Sequence, residues 1–208
     1  MKSFYLFLPA LLVASLLSAQ NTKGLFVNFN GSASGIKYEE TAVADAVLGY
    51  GYDFRLGIGI SPASTFFLGT SRIQVMEKPE SVFAEEYAIA EYELGTRYYF
   101  GGGGAQVKAF LEIMGQYVMT EPFPGADARG AGVGLAPGLL LFLSERVAID
   151  TRLRVSGAYM YDVRDSELGV RVPEDSYTFT TARLNVGLTF YPSVRRSRYS
   201  FERGGGHL

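Results

Sequence analysis

Between residues 48 and 60 every even-numbered side chain is apolar or aromatic (Leu48, Tyr50, Tyr52, Phe54, Leu56, Ile58, Ile60), and every odd-numbered one is small or charged (Gly49, Gly51, Asp53, Arg55, Gly57, Gly59). A repeat of two sends successive side chains to opposite faces of an extended strand, so each face here has one character. A helix over the same residues would mix the two classes on every face and carry four interior glycines, at about 1 kcal/mol each. The stretch therefore predicts a β-strand with one greasy face and one charged face.

The alternation returns along the chain. Candidate strands lie at residues 25–32, 47–60, 66–75, 88–100, 107–119, 130–143, 147–161 and 178–190. Two of them alternate less cleanly: residues 66–75, where Thr70, Arg72 and Gln74 share a face, and residues 130–143, where Gly130, Gly132, Gly134, Ala136 and Gly138 share one. Short connections at residues 61–64, 101–104 and 144–146 alternate with longer polar ones near 34–45, 76–86, 120–129 and 162–176. That rhythm predicts an up-and-down antiparallel meander, and an even strand count lets the last strand close on the first and leave no edge. A turn at Pro62 and Ala63 would set Asp53 opposite Arg72. A turn at Gly102 and Gly103 would set Arg97 opposite Lys108 and Glu93 opposite Glu112. Charged residues then share one face in both hairpins.

Two closed barrels satisfy this pattern. A soluble ligand-binding barrel of the lipocalin sort points its apolar face inward, whereas a membrane barrel points it at lipid and keeps a polar interior. The charged face carries Asp53, Glu91, Glu93, Glu112 and Asp150 with Arg55, Arg72, Arg97, Lys108, Arg152, Arg154 and Arg183. Mixed signs crowded into mid-strand suit an enclosed network in which each charge finds a partner. On the apolar face the aromatics gather at strand ends, with Phe67, Tyr98, Phe100 and Phe190 near the short turns and Tyr50, Tyr117, Tyr159 and Tyr161 near the long loops. Two aromatic girdles are what the two bilayer interfaces favour. The expectation is an all-β, eight-stranded antiparallel up-and-down transmembrane β-barrel, apolar outside and charged inside.

The ends of the chain address it to the same place. A short basic start, an apolar run over residues 4–17 interrupted by Pro9, and Ser18-Ala19-Gln20 form the layout of a signal peptide, residues 1–19. The run is short of the ~20 residues a spanning helix needs. Residues 20–192 would form the barrel and residues 193–208 a short basic periplasmic tail. The chain has no cysteine and a net charge of −2, which gives no electrostatic case for nucleic acid.

The segments "VLGYGYDFRLGIGI", "EYELGTRYYF", "GVGLAPGLLLFLSERVAIDTRL" and "ARLNVGLTFYP" together resemble the small eight-stranded outer-membrane barrels of Gram-negative bacteria, those similar to the OmpA transmembrane domain and OmpX. The leader end "LLSAQ" is similar to that of exported proteins from Bacteroidota. The resemblance, carried by pattern from about residue 24 to 192, implies a monomer placed in the outer membrane by the barrel assembly machinery, with outer-membrane lipids and lipopolysaccharide as partners. That machinery reads an aromatic-ended final strand in this family, and Phe190 and Tyr191 fit, although 17 residues follow Tyr191.

Catalysis is not expected. The lipid A acyltransferases and deacylases among small barrels use a barrel-borne histidine, and the single histidine here, His207, lies outside every candidate strand. The acidic group Glu91, Glu93, Glu112 and Asp150 shares its face with basic residues, so neutralisation outweighs an acid pair or a metal site. Residues 101–104 lack the Lys-Ser/Thr of a phosphate loop and read as a turn. No cofactor or metal is expected. The expected role is non-enzymatic, in envelope integrity or surface interaction through the long extracellular loops. A small-solute pore is the alternative, and a soluble periplasmic binding barrel a more distant one.

Overall fold

The computed structural model describes residues 22–38, 47–76, 86–100, 105–123, 126–165 and 176–192. The expected leader and the whole of the basic tail, residues 193–208 with His207, lie outside them. Eight strands follow one another: β1 (Gly24–Tyr38), β2 (Val47–Ser61), β3 (Ser64–Met76), β4 (Glu86–Phe100), β5 (Val107–Phe123), β6 (Ala126–Phe142), β7 (Val147–Asp165) and β8 (Tyr177–Phe190). Each pairs antiparallel with its neighbours in chain order, and β8 closes on β1. Apolar side chains face outward and charged ones inward, which excludes the inverted, ligand-binding barrel.

The strand stagger follows from the pairing. Stepping across partners from Leu25 through Ile58, Phe66, Thr96, Ile113, Leu135, Val155 and Ala182 leads back to β1 at Gly35, ten residues further on. Eight strands with that stagger tilt about 41° from the barrel axis, given ~3.3 Å per residue and ~4.8 Å between strands. Each residue then climbs about 2.5 Å, so the strands rise roughly 30–45 Å against a hydrocarbon belt of about 25 Å.

The strands run past the alternating segments at the long-loop end, where β1 reaches Tyr38, β5 Phe123 and β7 Asp165. Toward that end the interior becomes apolar. Ile36, Ile73, Val75, Ile89, Val118, Met160, Val163 and Phe179 point inward and are buried, while Lys37 points outward and is exposed. A strand that leaves lipid for water must exchange its apolar outside for an apolar inside, and that exchange erases a single period-two pattern.

The interior thus has three layers. At the long-loop end sits the apolar cluster just described, joined by Tyr38, Tyr87 and Tyr177. At the short-turn end a second cluster gathers Phe26, Phe67, Tyr99, Phe110, Met114, Leu140, Phe142 and Tyr191. Between them lies a layer of buried charge. Glycines on the inner face of β2 make room for this filling. A Cβ on Gly57 would stand 2.3 Å from the edge of the Phe26 ring, and one on Gly49 would stand 2.8 Å from the Ile73 side chain.

Two placements differ from expectation, for one reason. The β2–β3 turn pairs Ser61 with Ser64 as a turn at Pro62 and Ala63 requires, but a bulge between Gly59 and Ser61 slips the register by one for the rest of the strand. Asp53 consequently meets Ser71, and Arg72 meets Tyr52. A one-residue slip sends every side chain to the other face. Arg72, expected in the lumen, is exposed on the outside. Phe67, expected in the outer girdle, is 2% exposed and lies inside. The β4–β5 hairpin differs by an even step: Arg97 meets Glu112 and Glu93 meets Gln116, so partners change while faces hold.

Candidate functional site: the charged layer of the lumen

Alternation places the remaining eleven of the twelve expected lumen residues, Asp53, Arg55, Glu91, Glu93, Arg97, Lys108, Glu112, Asp150, Arg152, Arg154 and Arg183, inside the barrel, each buried. They come from β2, β4, β5, β7 and β8, so the layer is assembled across the lumen and not along one wall.

Ten of these residues form one continuous network of five carboxylates and five guanidinium groups. Arg55 reaches Glu112 at 2.6 Å and Glu93 at 2.7 Å. Glu112 is shared with Arg97 at 2.6 Å, and Arg97 continues to Asp150 at 2.8 Å. Arg152 links Asp150 at 3.5 Å to Asp53 at 2.5 Å, and Asp53 lies 3.7 Å from Arg55, closing a ring. From Glu93 a branch runs through Arg154 to Glu91, 3.0 Å away, and from Glu91 to Arg183. Every carboxylate touches two guanidinium groups, and Glu112 touches a third, that of Arg152.

The pairs matter because the layer is buried. Taking an ion out of water costs several kcal/mol, and only close opposite charge with further hydrogen bonds offsets it. Neutral side chains supply those bonds. Asn30 donates to Asp53 at 3.0 Å and Asn185 donates to its other oxygen at 2.5 Å. Ser71 donates to Glu91 at 2.8 Å, Thr189 to Asp150 at 3.2 Å, and Arg154 donates to the Gln116 carbonyl oxygen. These residues were absent from the expected site. Parity signals Asn30, Gln116 and Asn185, which fall on the inward-facing set of their strands, but it sets Ser71 on the outer face, because the bulge beside Ser61 that turns β3 over leaves no mark in the sequence.

The layer rests on the aromatic floor. The Arg97 guanidinium carbon lies 4.0 Å from the Phe110 ring centre and that of Arg55 lies 4.6 Å from Phe67. Lys108 lies lower, with its ammonium 5.8 Å from Tyr99 and 5.7 Å from Phe142. Aromatic faces attract cations by ~0.5–2 kcal/mol in such settings, which explains why a sixth cation is tolerated beside a balanced network.

On the outside, Tyr50, Tyr98, Phe100, Tyr117, Tyr159, Tyr161 and Phe190 are exposed. Between the two ends the exposed surface is Phe54, Leu56, Leu68, Leu94, Ile113, Leu135 and Leu153. An apolar exterior this extensive belongs in a hydrocarbon phase. The acidic group Glu91, Glu93, Glu112 and Asp150 is committed to arginines, with no carboxylate free for general acid–base chemistry.

The same architecture occurs in solved structures of outer-membrane proteins. Neisserial surface protein A superposes with a TM-score of 0.63 at 14% identity, covering 81% of this chain and 97% of that one. The outer membrane protein OprG from Pseudomonas aeruginosa superposes with a TM-score of 0.51 at 14% identity, covering 83% and 98%. No protein-family model and no curated protein matches the chain. At this identity the likeness is one of fold: a closed eight-stranded barrel of the outer-membrane type.

Proposed function

We propose that this barrel is a closed, non-enzymatic outer-membrane protein that does not conduct solutes and acts in envelope integrity or surface interaction through the long connections at one end. The observation that carries the reading is the layered interior. A solute crossing the lumen would have to part both apolar clusters and the ion-pair network between them. Ion pairs that span opposite strands, such as Arg55 with Glu112 and Arg183 with Glu91, close the bore from wall to wall. Loops carried on a rigid scaffold are where binding residues concentrate, and here the scaffold itself is filled.

The test is planar-bilayer recording of the folded barrel. The expected result is a silent membrane; stepwise, ohmic current through the wild-type protein would overturn the closed reading. Arg72→Ala should be silent as well, since that side chain lies outside the lumen. The pore reading lacks a specific observation in its favour.

A further inference from the structure

The outward face of β3 breaks the apolar belt. Where neighbouring strands present Tyr50, Tyr52 and Phe54 (β2) or Tyr92 and Leu94 (β4), β3 presents Thr70, Arg72 and Gln74 in succession. Among the described residues Arg72 has no ion-pair partner. A cation on the lipid face costs ~2–4 kcal/mol at the bilayer midplane and ~0–1 near the interface, so its height decides its meaning. With the tilt and stagger derived above, Arg72 stands about 20 Å above the short-turn rim, level with Tyr50, Tyr52, Tyr92 and Tyr117 in the upper aromatic girdle. It lies where headgroups begin on the long-loop side.

The surroundings make this a seat and not a lone charge. In the ladder Tyr52 stands directly across from Arg72 and Tyr50 across from Gln74 on one side. On the other side stand Ala90 and Ala88, with Tyr92 across from Thr70. The two alanines keep the side chains short on one flank of the arginine, and Tyr52, Tyr50 and Tyr92 stand around the stripe. The guanidinium, the Gln74 amide and the hydroxyls of Thr70 and the tyrosines are all hydrogen-bond donors, and they share one small area of surface. Arginine pairs with phosphate through a two-pronged, charge-assisted contact, while amides and hydroxyls suit sugar hydroxyls.

We propose that the Thr70–Arg72–Gln74 stripe binds the phosphorylated sugar headgroup of an outer-leaflet glycolipid, with Arg72 on the phosphate and the acyl chains lying down the apolar belt below. The inference rests on the outer-membrane reading and adds to it a lipid site of defined chemistry. A second copy of the chain is the competing occupant.

The experiment titrates full-length folded barrel in zwitterionic micelles with bisphosphorylated lipid A, with dephosphorylated lipid A and with phosphatidylglycerol, and counts adducts by native mass spectrometry. Lipid A should bind about tenfold tighter than its dephosphorylated form, as one charge-assisted contact allows. Arg72→Gln should lose that preference and Arg72→Lys keep part of it, because the ammonium retains charge without the planar fork. Equal lipid A binding by wild type and Arg72→Gln would overturn the proposal, as would equal affinity for phosphatidylglycerol, or dimers that Arg72→Gln dissolves. Heat-shifted gel mobility of the unboiled protein, read in the same samples, tests the barrel separately: loss of that shift in the wild type would count against the membrane reading itself.

Discussion

Glu112→Ala is expected to destabilise the barrel by about 3–5 kcal/mol, the loss typical of stranding a buried charge. Glu112 is the carboxylate on which the ring turns. It holds Arg55 and Arg97 at 2.6 Å each and lies 3.8 Å from Arg152. Without it Arg55 keeps Glu93 and Asp53, and Arg97 keeps Asp150, but five guanidinium groups would then face four carboxylates in a space sealed above and below. Urea unfolding in lipid vesicles, followed by gel mobility, reads the effect as an earlier midpoint. A Glu112→Ala, Arg97→Ala double variant should recover part of the loss, since neutrality returns and the two residues are direct partners. An unchanged midpoint in Glu112→Ala would mean that water reaches this layer.

The second large effect lies on the opposite face. Leu94 is 61% exposed, pairs with Leu68 and stands near mid-height of the belt. Leu94→Arg should cost about 2–4 kcal/mol in a bilayer, as a cation does at the hydrocarbon midplane. The same substitution at an exposed position of a water-soluble barrel would change stability by no more than about 0.5 kcal/mol. Unfolding midpoints of Leu94→Arg and Leu94→Ala, compared in vesicles, separate the charge penalty from simple loss of the side chain. Equal midpoints would place Leu94 in water. Arg72 shows the natural limit of this rule, being a cation tolerated because it sits among interfacial tyrosines.

Much of this architecture was legible from parity. The face of Asp53 and Arg55 on β2, of Glu91, Glu93 and Arg97 on β4, of Lys108 and Glu112 on β5 and of Arg152 and Arg154 on β7 follows from alternation, because lipid outside and packed charge inside each demand a uniform face. Failures arose where parity is not conserved along the ladder. The bulge beside Ser61 adds one residue to β2 and so reverses β3, and nothing local in the turn at Pro62 and Ala63 marks it. Arg72 and Phe67 changed sides together as a result. Strand ends were missed where the solvent changes, since Ile36 and Val163 obey the rule for a barrel in water and Leu94 obeys the rule for one in lipid. Partner identity was least legible. Whether Arg97 meets Lys108 or Glu112 depends on a stagger that the length of the connection at residues 101–104 does not determine.

The chain has no cysteine, so single thiols can be introduced and spin-labelled one at a time in the reconstituted barrel. The account predicts that labels at Phe54, Ile113 and Leu153 collide freely with dissolved oxygen and scarcely with a water-soluble nickel chelate, as acyl-chain surroundings require. Preferential collision with the chelate at these three sites would contradict it, and would return the apolar face of the strands to water.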